Sequence, residues 1–363
     1  MKCRCPVQSG QEYRPLFERT RGDRMLLLSD ELIQRELKME TVIDLVEEAF
    51  AADAQGRAIT FPAIVQYVGK AHAHFGLKSG YLNLENDSRA ARGTQAQDGG
   101  REVLGLKAGG YWLENQQRYG LPNHRATLLL INPDTGEALA LMPANTITRM
   151  RTAAAGAVAA RHLARQDATT VAVLGSGEQA HAQLEALRLT RQIAKVRVWG
   201  RRAAAVERYI AAWQGRDLDV QAAASPEEAL AQADIVVTTT PSTSPLVLDP
   251  WIRSGTHLNA IGSDGAGKRE LDPALIRRAR FVADKASQSE TIGELQQLVR
   301  DPSQDRPLLY AELGQICAGL RPGRESREEI TIFDSSGVSF QDLVVADYLA
   351  RLARENRLGQ VIW

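Results

Sequence analysis

The glycine-containing stretch at residues 169–180, TTVAVLGSGEQA, constrains the fold of this chain more than any other segment. A short apolar run breaks there into Gly175-Ser176-Gly177, and residues that favour a helix follow. The spacing Gly-x-Gly-x-x-Ala predicts a strand, a tight turn and a helix whose first N–H groups and dipole can hold a pyrophosphate. An ordinary strand-to-helix turn has the same local pattern, so the surrounding sequence has to decide between the two.

A second apolar run, residues 195–199, ends in Gly200-Arg201-Arg202. An NAD-binding βαβ unit usually places an acidic residue there against the ribose 2′-hydroxyl, whereas arginine accommodates a 2′-phosphate. The sequence therefore predicts an NAD(P) cofactor and favours NADP(H), with Arg201 and Arg202 among the cofactor-binding residues. The alternative is that the two arginines only begin a solvent-exposed helix.

Further β-prone runs at residues 219–224, 234–240, 257–262 and 280–285 alternate with segments that favour helix. Such alternation is typical of a parallel, doubly wound sheet. The region before the glycine turn differs, because short β-prone runs broken by turns fill residues 60–142 and predict a mostly antiparallel sheet. The fold class is therefore α/β, a Rossmann sheet beside an α+β domain.

Local signals place several boundaries in the first half of the chain. Met25 begins a short apolar strand, and Ser29 is typical of a helix N-cap. Thr41 with Asp44 resembles a capping box at the start of an amphipathic helix that ends at Ala54.

Two polar segments interrupt the predicted antiparallel sheet. Residues 132–136, Asn-Pro-Asp-Thr-Gly, have the proline and glycine of a hairpin turn. Residues 83–101 are polar and glycine-containing, and we expect a long exposed loop or flap there.

Near the C-terminus, TIFDSSG and a helix over residues 341–356 do not extend the alternating series, so we expect the chain to return there to the first domain. The predicted organisation has three parts: a loose tail at 1–24, a substrate-binding and dimerisation domain formed by 25–150 and 316–363, and a dinucleotide-binding Rossmann domain at 151–315.

Composition excludes several classes of function. The chain has 363 residues, 44% of them hydrophobic, and a formal net charge of zero, which is typical of a globular protein with two domains. Nucleic-acid and membrane-surface partners require clustered positive charge, which the sequence does not indicate. We find no apolar stretch that predicts a membrane span or signal peptide, and we expect a cytoplasmic protein.

Metal binding and disulfide formation are not predicted. Cys3, Cys5 and Cys317 are too few for a disulfide framework, and the first two fall in the polar N-terminal tail. His72 and His74 would share one face of a strand, but no third ligand follows nearby.

Four residues are candidates for chemistry from their local sequence. Asp264 follows a predicted parallel strand within a glycine-rich turn, where ligands of open sheets bind. Lys78 and Lys107 lie in similar β contexts, GLKSG and GLKAG, which favour a cleft where a lysine binds a carboxylate or has a lowered pKa. Arg151 is expected just before a helix N-terminus, a favourable place for an anion. A turn-capping aspartate and solvated lysines are the alternatives.

Six segments together resemble the ornithine cyclodeaminase and μ-crystallin family, from about Met25 to the C-terminus. In family order they are GLKAGGYWLEN, the GLP at residues 120–122, ITRMRTAAAGAVAARHLA, VAVLGSGEQA, IGSDGAGKREL and IFDSSG. The resemblance implies a homodimer whose N-terminal sheet domain builds the dimer interface and substrate pocket, is completed by the C-terminal segment, and lies beside a Rossmann domain.

The resemblance also implies roles for individual residues. Lys107 matches the substrate-contacting lysine and Asp264 the catalytic carboxylate, so both are assigned to catalysis. Lys78, Lys107, Arg151 and Ser336 are assigned to substrate binding. The cofactor-binding residues are Arg151, Thr152, Gly175, Ser176, Gly177, Glu178, Gln179, Arg201, Arg202, Thr240, Ser263, Lys268 and Ser335.

One departure from the family bears on the substrate. Relatives that act on ornithine carry an arginine shortly after a proline in the early sheet, whereas Pro62 is followed here by Ala63, Ile64 and Val65. Lys78 is a candidate for the missing positive charge. We therefore expect an NAD(P)-dependent oxidoreductase of small amino or imino acids, an imine or ketimine reductase or amino-acid dehydrogenase. The alternatives are an ornithine- or lysine-type cyclodeaminase that recycles its NAD, and a non-catalytic cofactor-binding protein.

Overall fold

A computed structural model describes residues 25–69, 73–84, 101–300 and 308–362. Most of the segment predicted as a long loop, His72 and the predicted N-terminal tail lie outside these ranges. Within them the strands form two sheets, one mostly antiparallel and one parallel.

The first sheet contains strands from both ends of the chain. Its order is β16-β1-β7-β6-β5-β4-β2, and β3 also pairs with β4. Only the pair β1 and β7 is parallel. The strands are β1 (Met25–Leu27), β2 (Ala58–Thr60), β3 (Ile64–Val68), β4 (Ala73–Asn83), β5 (Glu102–Tyr111), β6 (His124–Ile131), β7 (Ala138–Pro143) and β16 (Gln360–Ile362).

The second sheet is parallel throughout and has the order β10-β9-β8-β11-β12-β15-β13-β14. Strand β8 lies between β9 and β11 in the sheet. The chain continues from β8 outward to β9 and β10 on one side, and then crosses to β11 on the other side. This reversal makes the carboxyl end of β8 the topological switch point of the sheet. The strands are β8 (Thr170–Leu174), β9 (Lys195–Trp199), β10 (Asp219–Ala222), β11 (Ile235–Thr238), β12 (His257–Ala260), β13 (Arg280–Ala283), β14 (Leu309–Glu312) and β15 (Thr331–Asp334).

Helices pack between and around the sheets. They are α1 (Asp30–Glu36), α2 (Met39–Ala54), α3 (Asn115–Tyr119), α4 (Asn145–Leu163), α5 (Glu178–Arg188), α6 (Ala203–Trp213), α7 (Pro226–Leu230), α8 (Pro273–Arg278), α9 (Ala286–Ile292), α10 (Leu313–Cys317) and α11 (Ser339–Glu355), with 3₁₀ turns at Asp249–Trp251 and Leu298–Arg300.

Helix α4 joins the two halves because its small side chains allow close approach. Its buried stretch contains mainly alanine, and it packs on α5 and α2 as well as on strands of both sheets. A Cβ on Gly156 would lie 2.2 Å from the Gln183 Oε1 atom of α5. A larger residue at this position would therefore have to displace the Gln183 side chain, which is buried and donates to the Thr152 carbonyl of α4.

Several local predictions are confirmed. The strand at Met25 is present, and the Ser29 side chain caps α1 by accepting from the Leu32 N–H. The hairpin turn between β6 and β7 has Gly136 at φ 76°, with its N–H donating to the Asn132 carbonyl. Each predicted parallel strand belongs to the second sheet.

Three predictions about local structure are wrong. Helix α2 begins at Met39, two residues ahead of Thr41, and its N-cap residue Lys38 makes no side-chain cap hydrogen bond. Arg151 lies within α4, not ahead of its N-terminus, because the helix begins at Asn145. Strand β15, expected in the first domain, pairs between β12 and β13 of the second sheet. Helix α11 and β16, which follow β15, do pack on the first sheet, and the proposed domain boundaries stay a prediction.

Among the described residues, no helix combines the length and apolar character that crossing a membrane requires.

Candidate active site

The glycine turn stands at the switch point of the parallel sheet. Gly175 has φ 115°, a conformation that L side chains rarely adopt, and a Cβ there would lie 2.4 Å from Thr239 Oγ1 after β11. Gly177 is the N-cap of α5, and a Cβ on it would meet no heavy atom within 4 Å. The turn therefore offers a helix N-terminus facing open space, which fits a dinucleotide pyrophosphate.

The end of β9 lies beside this turn. A Cβ on Gly200 would lie 3.3 Å from Ser176 Oγ, so the two loops are in contact. Arg201 and Arg202 are exposed, and neither forms an ion pair with a carboxylate in the described part of the chain. Both guanidinium groups are therefore available for an anionic ligand next to the turn.

Three other predicted cofactor residues, Glu178 and Gln179 of α5 and Thr152 of α4, differ in how far they are exposed. Glu178 begins α5 and is exposed, whereas Gln179 donates from Nε2 to the Arg149 carbonyl at 3.4 Å. Thr152 is buried in α4, and its carbonyl accepts from Gln183 Nε2 at 3.0 Å. These contacts hold α4 against the start of α5.

A buried ion-pair cluster lies on the side of the first sheet. Lys107 of β5 places its Nζ atom 2.7 Å from Oδ2 of Asp342 in α11, and Arg151 donates from Nε to Oδ1 of the same carboxylate at 3.0 Å. Lys107 Nζ also donates to Thr148 Oγ1 at 3.2 Å, and Arg151 donates to Gln341 Oε1 at 2.9 Å. The carboxylate of Asp342 therefore forms ion pairs with two cations, and the side chain of each cation is less than a tenth exposed.

Burial and neighbouring charge set the protonation of this cluster. Burial lowers the pKa of Lys107, the Asp342 carboxylate opposes that shift, and Arg151 and Lys78 add to it, so the pKa is about 7. Burial alone raises the pKa of Asp342, but the charges of Arg151 and Lys107 outweigh it and hold the pKa below its usual value. Lys107 can therefore exchange a proton near neutral pH beside a carboxylate that is ionised at that pH.

Lys78 connects the first sheet to the end of β15. It lies directly opposite Lys107 in the β4–β5 pair, and its Nζ atom donates to the carbonyls of Ser336 at 3.0 Å and Gly337 at 2.7 Å. Burial, followed by the charge of Arg151, lowers the pKa of Lys78. The two lysines and Arg151 thus form a concentrated positive region against the carboxyl edge of the parallel sheet.

Asp264 reaches this region from the loop after β12. Its side chain is 54% exposed, and Lys268 Nζ lies 2.5 Å from its Oδ1 atom. The surrounding protein raises the pKa of Asp264 by desolvation, but the Lys268, Lys78 and His74 charges outweigh that effect and lower it. Asp264 is therefore an anion at neutral pH that faces the cleft.

Two buried acids fix the loops around the cleft. Glu270 accepts from Thr240 Oγ1 at 2.6 Å and from the Gly262 N–H at 2.9 Å, which ties the loop after β11 to the loop carrying Asp264. Asp284 accepts from Ser336 Oγ at 2.9 Å and from the Gly337 N–H. Both pKa values are raised by burial.

Four of the predicted hydroxyl residues, Thr240, Ser263, Ser335 and Ser336, therefore already have partners in the protein. Ser263 is fully buried and donates to the Lys268 carbonyl at 3.0 Å, and Ser335 Oγ lies 3.4 Å from Asp284 Oδ2. In the structure these hydroxyl groups, like those of Thr240 and Ser336, hold loop conformations. Their assignment to cofactor and substrate contacts stays a prediction.

Sequence reasoning missed Asp342, the centre of the charged cluster. The available signal was an acid inside the apolar run FQDLVV of a helix, because a buried charge needs partners. His74 and His124 were also not assigned to the site. The strand register places both on the sheet face that carries Lys78 and Lys107, and the charge of Asp264 acts on the pKa of each.

Outside this site, Glu47, His162 and Cys317 lie close enough together to be metal ligands. They come from α2, α4 and α10, and Glu47 is already bonded to Arg161 and to His162 Nε2. The expectation that the protein needs no metal stays a prediction.

Comparison with known proteins identifies the family. Residues 23–357 match the model of the ornithine cyclodeaminase/mu-crystallin family. The chain belongs to this family. The match spans nearly the whole chain and includes every strand of the two sheets except β16, so the predicted family is confirmed.

Solved members share the whole fold. An archaeal alanine dehydrogenase dimer with bound NAD is 34% identical over 94% of this chain and 99% of that chain, with a TM-score of 0.84. Iminosuccinate reductase of Paracoccus denitrificans in complex with NAD+ is 34% identical over 94% and 99%, with a TM-score of 0.83. Thermococcus litoralis Δ1-pyrroline-2-carboxylate reductase in complex with NADH and L-proline is 31% identical over 93% and 100%, with a TM-score of 0.82. The predicted fold class is confirmed.

Proposed function

We propose that this family member is an NAD(P)-dependent oxidoreductase that reduces small imino acids, or oxidises the corresponding amino acids, in the cleft between the two sheets. The observation that carries the proposal is the contact between Lys78 and the Ser336 and Gly337 carbonyls. It joins the positive cluster of the first sheet to the edge of the parallel sheet where the glycine turn lies. The predicted class of activity is confirmed by relatives that are amino-acid dehydrogenases and imine reductases.

The positive cluster is suited to a substrate carboxylate. Arg151 has a planar guanidinium that is already oriented by Asp342 and Gln341, and Lys78 is oriented by two carbonyls. Groups oriented before binding lose little further entropy when a ligand arrives. We assign the carboxylate to Lys78 and Arg151, with Lys107 next to the imine nitrogen.

A bound nicotinamide cofactor supplies or accepts the hydride. Reduction of an imine also consumes one proton, because a C–H and an N–H bond form as the C=N π bond breaks. Lys107 is the proton donor that we propose, since a pKa of about 7 allows both donation and return of the proton at neutral pH. Asp264, as an anion, stabilises the positive charge of the protonated imine.

The cofactor turn is assigned to Gly175, Ser176 and Gly177, and we propose that NADP(H) is preferred. The support is that two exposed arginines follow β9. An acidic residue at this position would repel a 2′-phosphate, whereas arginine can bind it. Replacing both by alanine should raise the KM for NADPH about tenfold and leave the KM for NADH unchanged, as expected for a lost charge-assisted contact. Equal kcat/KM values for the two wild-type cofactors would overturn the preference.

The direct test is to mix the purified protein with NADPH or NADH and a panel of cyclic imines, and of 2-oxo acids with ammonium. Loss of reduced-cofactor absorbance with at least one imine is the expected result. No oxidation of either cofactor with any of these compounds would overturn the proposal.

A cyclodeaminase is the second candidate, because the family includes this activity by name. It would release ammonia from ornithine or lysine with no net change in the cofactor. The absence of an arginine after Pro62 disfavours it. Ammonia release at a constant concentration of reduced cofactor would establish it in place of the reductase.

We also propose that the protein is a homodimer formed through the first sheet. The support is a set of exposed apolar side chains on and around β2, β3 and β4, together with the dimeric state of the archaeal alanine dehydrogenase. Light scattering should give twice the chain mass, and Ile64→Asp, on the sheet face opposite to that of Lys78, should give the single-chain mass. The exposed side chains are Ile59, Phe61, Ile64, Val65, Tyr67, Val68 and Phe75.

We place the protein in the cytoplasm, because the reaction depends on a soluble nicotinamide cofactor pool. Fractionation of the native cells should recover the protein with cytoplasmic markers.

A further inference from the structure

The segment 335–337, which follows β15, determines the direction in which the Lys78 ammonium can bind a ligand. Lys78 Nζ donates to the carbonyl oxygens of Ser336 at 3.0 Å and Gly337 at 2.7 Å. A lysine ammonium has three N–H donors, so these two bonds leave one donor and fix the direction in which it points. The position of the two carbonyls therefore decides where Lys78 can bind a substrate carboxylate.

Asp284 bonds to every residue of the same segment. It follows β13, and its backbone N–H donates to the Asp334 carbonyl of β15 at 2.9 Å, which fixes its place in the parallel sheet. Its carboxylate accepts from Ser336 Oγ at 2.9 Å, from Ser335 Oγ at 3.4 Å and from the Gly337 N–H. The segment that holds Lys78 is therefore itself held by one side chain of the parallel sheet.

The burial of Asp284 makes these hydrogen bonds essential to it. Asp284 is 1% exposed. The nearby cations Lys107 and Arg151 pair with Asp342 instead. A buried carboxylate without a paired cation is stabilised by the donors around it, and those donors lose a buried acceptor when the carboxylate is removed. We therefore expect the 335–337 segment to change position when Asp284 is replaced by a residue without an acceptor.

Gly337 makes the segment dependent on bonds from outside. Its φ is 80°, and a Cβ on it would lie 2.7 Å from Arg151 Nη1, so only glycine fits this position. Glycine has no side chain to limit its backbone, and it has more conformations available than any other residue. The bond from the Gly337 N–H to Asp284 selects one of these conformations.

We propose that Asp284 is a positioning residue, which orients Lys78 towards the substrate carboxylate by holding the 335–337 segment. This inference rests on the proposed function, in which Lys78 and Arg151 bind that carboxylate. Asp284 acts through the segment and needs no contact with the substrate. A residue of the parallel sheet thus directs a cation of the first sheet.

The first test is a split between KM and kcat in imine reduction. Asp284→Ala removes the acceptor, and KM for the cyclic imine should rise about tenfold while kcat falls less than about threefold, because a mobile Lys78 has to be ordered when substrate binds. Asp284→Asn keeps an oxygen for the Gly337 N–H and should leave KM within about threefold of wild type. An unchanged KM in Asp284→Ala, or equal increases in the two variants, would overturn the inference.

Asp234→Ala is the matched control. Asp234 precedes β11 at the opposite edge of the same sheet, and it also accepts from backbone N–H groups, those of Thr169 at 3.0 Å and Thr170 at 3.1 Å. Its replacement should lower the melting temperature and leave KM at the wild-type value. A rise in KM equal to that of Asp284→Ala would show a general loss of structure and would contradict the positioning role.

A double variant tests whether the effect passes through Lys78. In the Lys78→Met background, Asp284→Ala should change KM by less than about twofold, because the cation that Asp284 positions is already absent. An increase as large as that in the wild-type background would show that Asp284 acts by another route, and the inference would be wrong.

A crystal structure of free Asp284→Ala tests the positioning without the reaction. At least one of the bonds from Lys78 Nζ to the Ser336 and Gly337 carbonyls should be lost, and two unchanged bonds would overturn the inference. If the alanine variant does not fold, Asp284→Val, which lacks an acceptor but fills more space, takes its place. If the wild type reduces no imine, the proposed function fails, and the crystal structure still decides whether Asp284 orients Lys78.

Discussion

The two halves of the candidate site are built from different parts of the chain. The proposed cofactor half is a short contiguous turn whose backbone we expect to bind the pyrophosphate, with Gly175 at φ 115° and open space above Gly177. The substrate half is made of side chains from β4, β5, α4 and α11, joined by the carboxylate of Asp342. A site made of backbone tolerates many side chains around it, whereas a site made of paired buried charges depends on each of its members.

The largest loss of activity that we expect is caused by a substitution of Lys107 in the substrate half. Lys107→Met removes the proposed proton donor, and kcat/KM for imine reduction should fall by about 10³-fold, within the range for general acid catalysis. Lys195→Met, which removes an exposed lysine from β9, should have no effect. Steady-state kinetics at saturating cofactor measures both, and a loss of less than tenfold would exclude Lys107 as the donor.

The second-largest loss of activity is expected at Asp342, whose carboxylate pairs with both Lys107 and Arg151. Asp342→Asn should lower kcat/KM by about 10²-fold and the free energy of unfolding by about 3 kcal/mol, because Lys107 and Arg151 would stay buried without a countercharge. Since Asp342 raises the pKa of Lys107, the basic limb of the pH profile should also move to lower pH.

Asp347→Asn is the matched control for this change, because Asp347 lies on the same helix and pairs with Arg101 and Arg351 instead. It should retain wild-type kcat/KM and an unshifted pH profile. An unshifted profile in Asp342→Asn as well would contradict the proposed coupling to Lys107.

The third effect is the pH dependence of the wild type. If Lys107 is the proton donor, as we propose, reduction requires its protonated form, and kcat/KM should fall about tenfold per pH unit above about pH 7. Amino-acid oxidation would require the neutral amine and should rise towards a plateau. Initial rates in both directions across neutral pH measure this. Parallel profiles in the two directions would contradict the assignment.

The smallest effect distinguishes the two glycines of the turn. Gly175→Ala places a Cβ against Thr239 at a positive φ and should cost about 1–3 kcal/mol of stability, with roughly tenfold weaker cofactor binding. Gly177→Ala has space for its Cβ and an ordinary φ of −90°, so the free protein should melt at the wild-type temperature. Thermal melts with and without cofactor separate the two, and equal destabilisation would show that both glycines are needed for the fold.

Prediction from sequence succeeded where the signal was local. The alternation of strands and helices after Gly175 placed the parallel sheet, and the turn at 132–136 placed a hairpin, because each depends on residues close together in the chain. It failed where partners are distant. Strand β15 was expected in the other domain, since nothing in TIFD indicates which sheet it will join.

The sequence by itself determined that a strand, a glycine turn and a helix follow one another with the spacing of a dinucleotide-binding turn, because all three are encoded within about a dozen residues. It also supplied the two lysines and Arg151 as candidates. Only the tertiary structure decided that Asp342, nearly two hundred residues beyond Arg151, pairs with both Lys107 and Arg151. A buried charge acquires its protonation state from its neighbours in space, and separation along the chain does not reveal those neighbours.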